Sequence, residues 1–239
     1  MERREMLGAL AAGSVALGLA GNLGLAQGAP GPASGAGPGP ASGAGPQSDY
    51  PVLTFALEAG LPGLSKEMLG EHLALYKGYV GRCNALLKEL LGAEKEARAT
   101  PSVQELRRRL GFEFSGMRLH ELYFGALRDR PGPPAPNHPL HRAIAAQWGS
   151  FEAWWGAFRA TCSMTGIGWG ALVKDPVTGR LMNAWFQDHE NAIPVGTQPI
   201  LVLDVWEHAY IKDYGATARV KYVDAVRPLL DWSVLEKRY

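Results

Sequence analysis

Four side chains in the sequence have the chemistry of metal ligands: His72, His120, Asp204 and His208. Asp204 lies near the end of the apolar run PILVLDVW, where a carboxylate buried without a positive partner would be unfavourable. His208 follows four residues later and can point in the same direction, so a bound cation would satisfy both side chains. A lone histidine on an apolar helix face is also commonly a hydrogen-bonded core residue, and this alternative stays open for His72 and His120.

Three imidazoles and one carboxylate predict a particular kind of metal site. Nitrogen and oxygen ligands without thiolate suit iron, manganese or zinc. A single carboxylate leaves a trivalent ion with residual positive charge, which can attract a small anion. The remaining histidines lie in or beside a proline-rich loop or among acidic and amide residues, and we predict that they are exposed to solvent: His138, His141 and His189.

Hydrophobic periodicity places the first two candidate ligands on two long helices. Apolar residues recur at intervals of three and four over residues 64–92, with Ser65 as a candidate cap, and this spacing predicts an amphipathic helix that carries His72. A second helix is predicted over residues 103–127, and it carries His120. The proline-rich segment DRPGPPAPNHP that follows would end this helix.

Shorter elements follow the two long helices. Residues 141–148 and 151–164 are predicted as short helices, and WGALVKDPVTGRLMNAWFQ predicts two strands joined by a turn. PILVLDVW predicts a third strand, after which residues 207–232 return to a helical pattern. Because helices precede a small sheet instead of alternating with strands, the predicted class is α+β.

The composition narrows the possible partners. Basic and acidic side chains nearly balance, at 24 against 23, so a surface for nucleic acid, which needs a basic excess, is not expected. Cys83 and Cys162 fit no metal-ligand spacing. They are predicted to be buried thiols or a disulfide, and they are assigned no function.

The N-terminal residues have the pattern of an export signal. In residues 1–27, Arg3 and Arg4 precede an uncharged segment rich in Gly and Ala, as in leaders of the twin-arginine type. Residues 28–49 consist mainly of Gly, Ala, Pro and Ser, which predicts a disordered linker. The protein is therefore predicted to be exported to the periplasm or another extracytoplasmic compartment. The alternative is an uncleaved leader, which would be the one membrane contact.

One segment carries a specific family resemblance. LDVWEHAYIKDY, residues 203–214, resembles the DxWEHAY signature of the iron/manganese superoxide dismutases. Three further segments resemble parts of the same family and occur in its order: LSKEMLGEHLALYKGYVGRCN, FSGMRLHELYF and GIGWGALV. The resemblance covers residues 50–239.

The resemblance implies a superoxide dismutase that holds one manganese or iron ion per chain on the four ligands named above. It implies an N-terminal α-helical hairpin, residues 50–130, followed by a C-terminal domain of helices around a small antiparallel sheet, residues 131–239. The metal would lie between the two. A homodimer is also implied, in which Glu207 reaches a ligand histidine of the other subunit and orients its imidazole.

Further residues acquire roles through the same resemblance. Trp169 and Trp206 match aromatic residues that wall the site. Ordinary core packing is the alternative, and both descriptions can hold together. Arg219 matches an arginine at the entrance. Gln187 matches the glutamine that hydrogen-bonds metal-bound solvent in the manganese arrangement. The other family position for this glutamine, four residues before the second ligand, is Gly116 here, so manganese is preferred.

Two tyrosines on the first helix are candidate catalytic residues. The gateway tyrosine of the family follows the first ligand by eight residues along a bulged helix, whereas Tyr79 follows His72 by seven. At about 100° per residue, seven residues return to within about 20° of the starting direction, so a regular helix would bring Tyr79 to the metal-facing side. Tyr76 takes the place where the family usually has a histidine. Both tyrosines could instead be plain core residues.

Departures from the family pattern leave other functions open. Ile211 and Ala171 replace a tyrosine and a tryptophan of the family, and the histidine pair that often follows the first ligand is missing. These changes bear on proton supply. One alternative is a metal-binding homologue of the same fold with weak or no dismutase activity. Another is a membrane-tethered structural protein, which would not require the ligand set.

The export hypothesis predicts that replacing both Arg3 and Arg4 by lysine blocks transport, because the twin-arginine machinery recognises two consecutive arginines. Fractionated cells should contain the wild-type protein outside the cytoplasm and the double variant inside it. Unchanged export of the variant would indicate the general secretory route or the absence of a leader.

Overall fold

The computed structural model describes residues 49–239. The predicted leader, residues 1–27, and all but the last residue of the predicted linker, residues 28–49, lie outside this part. The elements follow in the order α1 (Lys66–Lys95), α2 (Pro101–Gly125), α3 (Pro139–Trp148), α4 (Phe151–Cys162), β1 (Gly168–Lys174), β2 (Leu181–Gln187), β3 (Gln198–Asp204), α5 (Ile211–Tyr214), α6 (Arg219–Val226) and α7 (Trp232–Lys237). This order confirms the predicted α+β class.

The two long helices form an antiparallel pair. Their side-chain contacts run in opposite directions along the chain: Glu94 with Arg107, Arg82 with Glu113, and Tyr76 with Glu121. Both helices begin at capping residues, because the hydroxyls of Ser65 and Thr100 accept hydrogen bonds from backbone amides of the first turn. Helix α1 is continuous α-helix from Lys66 to Lys95, as predicted for a helix without a bulge.

The sheet has three antiparallel strands in the order β2-β1-β3. Six of the seven residues of β1, the central strand, are buried, since α4 packs on it from one side. The register pairs Trp169 of β1 with Asp204 at the end of β3 and with Phe186 of β2. Strand pairing therefore fixes the position of Asp204 next to a buried tryptophan.

The C-terminal region differs from the predicted closing helix. Residues 207–232 form a 3-10 turn at Glu207–Ala209, the short helices α5 and α6, and a second 3-10 turn at Arg227–Leu229 before α7 begins. Gly215 ends α5 with φ 76°, a left-handed conformation that a right-handed helix cannot contain. The second 3-10 turn contains a proline, which cannot donate a helical hydrogen bond.

One continuous hydrophobic cluster joins α1 and α2 to α4, the sheet and α6. Residues 50–130 and 131–239 thus share a core within the described part of the chain, and the division between them remains a prediction. Cys83 and Cys162 are both buried free thiols, in agreement with the first of the two predicted alternatives. Among the helices of residues 49–239, none is sufficiently long and apolar to cross a membrane.

The close packing of α4 on β1 predicts opposite effects for two glycine substitutions. A β-carbon at Gly170 would lie 2.2 Å from the sulfur of Cys162, so Gly170→Ala should lower the free energy of unfolding by about 1–3 kcal/mol. Gly156 lies exposed in α4 with open space around it, so Gly156→Ala should raise it by up to about 1 kcal/mol. Chemical denaturation measures both changes. An unaltered midpoint for Gly170→Ala would contradict this close packing of α4 on β1.

Candidate metal centre

The four predicted ligands meet in one place. One ligand atom from each of His72, His120, Asp204 and His208 lies within 4.8 Å of the others. They come from α1, α2, the end of β3 and the 3-10 turn that follows it. The first three side chains are completely buried, whereas His208 is 23% exposed. Of the four ligands, His208 is therefore the one that reaches solvent.

The carboxylate of Asp204 is the hub of this cluster. Its Oδ2 atom lies 3.0 Å from Nε2 of His72, 3.1 Å from Nε2 of His208 and 3.7 Å from Nε2 of His120. Burial by itself raises the pKa of Asp204, but the charge and hydrogen bonds of the two nearer histidines outweigh burial and hold the pKa well below its usual range. Asp204 is thus ionised, as a metal ligand must be.

Backbone and tyrosine contacts fix Asp204 in this position. Its Oδ1 atom accepts a hydrogen bond of 2.8 Å from the backbone amide of Trp206. The backbone oxygen of Asp204 accepts a hydrogen bond of 2.8 Å from the hydroxyl of Tyr222, which in turn contacts the hydroxyl of Tyr123 at 2.8 Å. Only Oδ2 is left to face the three imidazoles.

The protonation of the histidines suits a cation. Nδ1 of His120 donates to the backbone oxygen of Gly116 at 2.6 Å, and its Nε2 atom is buried without a hydrogen-bond partner. Burial lowers the pKa of His72 and of His120, so both are neutral. The pKa of His208 is depressed by burial but raised overall by the Asp204 carboxylate. An unpartnered imidazole nitrogen directed at an ionised carboxylate fits a bound manganese or iron ion.

His189 is part of this centre, contrary to the prediction that it is solvated. It is completely buried, and its ring stacks on Trp206 with the centroids 4.9 Å apart. The reason is a tight turn after β2, in which the backbones of Gln187 and Asn191 exchange two hydrogen bonds and Asp188 has φ 53°. This turn directs His189 inward although its neighbours in the sequence are acidic.

Hydrogen bonds link His189 to the predicted gateway tyrosine. Nε1 of Trp169 donates to Nδ1 of His189 at 3.0 Å, and Nε2 of His189 lies 2.7 Å from the hydroxyl of Tyr79. An indole nitrogen can only donate, and burial lowers the pKa of His189 to about 4, so its single proton is on Nε2. Nε2 therefore donates to the oxygen of Tyr79, and the hydroxyl proton of Tyr79 is free for another acceptor.

The two tyrosines of α1 have different surroundings. The ring of Tyr79 stacks on the ligand His120 with the centroids 5.1 Å apart, and its hydroxyl contacts His189 beside the cluster. The hydroxyl of Tyr76 donates to Glu121 at 3.1 Å and accepts from the backbone amide of Leu53 at 3.0 Å. Tyr76 is thus a buried residue of α1 whose hydroxyl is directed to Glu121 and not to the ligands.

The prediction for Gln187 is corrected by the structure. Gln187 is exposed at the end of β2, where its side chain cannot reach the buried ligands. The side chain that enters the centre from this region is His189, two residues later. Alternation along the strand turns Gln187 outward, and only the turn geometry, which the sequence does not reveal, turns the later residue inward.

The other predicted residues surround the centre to different extents. Trp169 is buried with its ring centroid 5.0 Å from that of His120, and Trp206 stacks near His208 at 5.9 Å. Glu207 is exposed on the single chain. The guanidinium of Arg219 donates to the backbone oxygens of two loop residues, Met164 and Gly166, at 2.5 and 2.6 Å. These bonds hold Arg219 against the loop that precedes β1.

Comparisons with known proteins agree with this arrangement. Residues 136–238 match the family model of the C-terminal domain of iron/manganese superoxide dismutases. A manganese superoxide dismutase of Haloferax volcanii is 35% identical over 80% of this chain and 96% of its own length. An iron superoxide dismutase of Cupriavidus metallidurans is 35% identical over 76% and 91%. One of Saccharolobus solfataricus, also an iron protein, is 33% identical over 80% and 92%.

The geometry predicts that His120→Ala prevents metal retention. The substitution removes an imidazole whose free nitrogen faces Asp204, so affinity for manganese or iron should fall by at least about 100-fold. Metal analysis after loading and dialysis measures the effect. His141→Ala is the control, because His141 stacks on Phe151 away from the cluster. Equal metal content in wild type and His120→Ala would show that the four residues are not the ligands.

Proposed function

The chain belongs to the iron/manganese superoxide dismutase family, and we propose that its buried cluster uses a manganese or iron ion to convert superoxide into dioxygen and hydrogen peroxide. The observation that carries this proposal is the convergence of three imidazoles on one oxygen of Asp204. His72, His120, Asp204 and His208 would hold the ion. A bound manganese or iron ion supplies one-electron redox chemistry, taking an electron from one superoxide and giving it to a second.

The chain must deliver two protons for each peroxide formed. Tyr79 is suited to this task because burial raises its pKa to about 12, so its hydroxyl remains protonated at neutral pH. Its oxygen accepts from Nε2 of His189, which leaves the hydroxyl proton available to a product at the ligand cluster. His189 is held in turn by the indole of Trp169. The chain Trp169–His189–Tyr79 therefore orients one proton donor at the centre.

Two tryptophans protect the centre from bulk water. Trp169 is completely buried against His120, and Trp206 covers His189 and His208 with its ring. Exclusion of water strengthens electrostatic interactions between the ligands and a bound ion. The same packing limits access to the side of the centre where His208 and Tyr79 are partly exposed.

Manganese is the proposed metal, although Gln187 does not support this choice. The support is that the group next to Tyr79 comes from the turn after β2, as in the manganese arrangement, with His189 in place of a glutamine. At the alternative position, a β-carbon on Gly116 would lie 2.8 Å from the ring of Tyr79. No side chain fits there without displacing the gateway tyrosine.

Assembly and location form a separate proposal. Glu207 is exposed beside the ligand His208, which suits a homodimer in which it contacts the other subunit. Arg3 and Arg4 near the N-terminus suit an exported protein of the periplasm or another extracytoplasmic compartment. In this proposal an export leader and a linker rich in Gly, Ala, Pro and Ser precede the hairpin and the α+β region.

The dismutase proposal is tested on protein loaded separately with manganese and with iron. Decay of a superoxide pulse should accelerate in proportion to bound metal, and more strongly with manganese than with iron. Activity with iron alone would reverse the proposed metal preference. Full metal occupancy without superoxide consumption in either form would instead favour the metal-binding homologue without dismutase activity.

Tyr79→Phe is the companion variant for proton delivery. It removes the hydroxyl but keeps the ring on His120, so metal content should change little. The free energy of unfolding should fall by about 1–3 kcal/mol, because the buried Nε2 of His189 loses its acceptor. The rate of the proton-dependent half of the cycle should fall by up to about 10²-fold, because a positioned proton donor is lost. Identical rates for Tyr79→Phe and wild type across the pH range would exclude Tyr79 as the donor.

A further inference from the structure

The paired helices α1 and α2 bury a second carboxylate, outside the ligand cluster. Glu113 of α2 is 2% exposed. One of its oxygens accepts from Nε of Arg82 at 2.9 Å, and the other accepts from Nε of Arg109 at 2.8 Å. The two arginine side chains are themselves about half exposed, at 52% and 51%. This group of three residues therefore presents two cations to solvent around one buried anion, with one net positive charge.

Both guanidinium groups lie over aromatic rings next to the metal centre. The guanidinium carbon of Arg82 is 4.7 Å from the ring centroid of Tyr79, and that of Arg109 is 4.1 Å from the centroid of Phe112. The ring of Phe112 lies 4.6 Å from His189. The cations thus cover the aromatic residues that separate His120 and His189 from solvent.

One glycine, Gly78, makes room for this arrangement. A β-carbon at Gly78 would lie 2.8 Å from Nη1 of Arg82, so the absence of a side chain allows Arg82 to fold back along α1 towards Tyr79. A buried ion pair contributes little to stability, because desolvation of the charges offsets their attraction. An apolar residue in place of Glu113 would pack α1 on α2 equally well, but it would not hold two cations beside Tyr79.

We propose that Arg82 and Arg109, positioned by Glu113, attract superoxide to the side of the metal centre that Tyr79 occupies. The inference rests on the proposed dismutase function, since superoxide is an anion. A fixed positive charge at the mouth of a site raises the local concentration of an anionic substrate and its rate of association. We call Arg82 and Arg109 the arginine pair.

Other charges near the arginine pair limit where it acts. Asp188 and Glu190 flank His189 on the turn after β2, and a carboxylate oxygen of Glu190 lies close to Gly111, one residue before Phe112. These carboxylates oppose the approach of an anion from the turn. The favourable path is therefore the surface over Tyr79 and Phe112, where the guanidinium groups lie.

The test removes one cation at a time. In Arg82→Gln and in Arg109→Gln the buried carboxylate of Glu113 keeps one guanidinium partner, so both variants should fold and bind metal. At low ionic strength kcat/KM for superoxide should fall about 2–10-fold in each, with kcat unchanged. The decrease of kcat/KM with added salt should also become shallower. Arg82→Lys keeps the charge and should restore most of the wild-type rate.

Arg107→Gln is the matched control for this test. Arg107 lies on α2, as Arg109 does, is 49% exposed and pairs with Glu94. Its substitution therefore removes one positive charge away from the centre. Its kcat/KM and salt dependence should equal those of wild type. If Arg82→Gln and Arg109→Gln match this control in both measurements, the arginine pair has only a structural role and the inference is wrong.

An equilibrium measurement separates this inference from the proposed function. Titration of the metal-loaded protein with azide reports anion binding at the centre without turnover. Each Gln variant of the arginine pair should weaken azide binding by about 2–10-fold relative to Arg107→Gln. If the Gln variants bind azide more weakly than Arg107→Gln, but the wild type does not consume superoxide, the dismutase function is refuted and the anion-attracting role is retained. Equal azide affinities in all four proteins would refute that role.

Discussion

The ionised carboxylate of Asp204, buried among three imidazoles, is the interaction on which the remaining structure depends. A buried charge is tolerated only with partners on every side, and these partners come from α1, α2 and the turn after β3. The helices must therefore close on the sheet for the centre to exist. A contact outside the centre supports this closure: the carboxylate of Asp213 accepts from the hydroxyl and the backbone amide of Ser65, at 2.6 and 2.7 Å. It joins the start of α1 to the segment that follows His208.

The sequence was sufficient to predict the features that arise from a repeating hydrophobic pattern or from a distinctive set of side chains. The helical periodicity around His72 and the apolar strand before Asp204 predicted these elements correctly. The four candidate ligands, predicted from their chemistry and from the family resemblance, lie together in the structure. The inward position of His189 could not be predicted, because it depends on two backbone hydrogen bonds across a turn and on a positive φ at Asp188. Its acidic neighbours indicated solvent instead. Gln187 was misassigned for a different reason: the family pattern gave its position, but strand alternation next to buried Phe186 turns its side chain outward.

The C-terminal region shows a different limit of sequence reasoning. A helical pattern over residues 207–232 predicted one closing helix, but the chain divides it at Gly215 and at the 3-10 turn with proline. The predicted helical conformation was correct for most of these residues, which lie in short α-helices or 3-10 turns. Tertiary requirements determined the breaks: His208 must face Asp204, and Tyr222 must reach the backbone oxygen of Asp204 from α6. The segment is bent because it holds the same residue from two directions.

Gly116 has a consequence for how such a centre can change over evolutionary time. A β-carbon there would meet the ring of Tyr79 at 2.8 and 2.9 Å and the ring of His189 at 3.2 Å, so the space beside α2 is already filled from the opposite side. Consider a lineage in which the polar side chain beside Tyr79 moves from position 189 in the turn to position 116 on α2. Its intermediate would have either both side chains and too little room for them, or neither side chain. The two single steps are each unfavourable alone and acceptable only together. Positions 79, 116 and 189 therefore form an epistatic set, in which the order of mutations decides which paths remain viable.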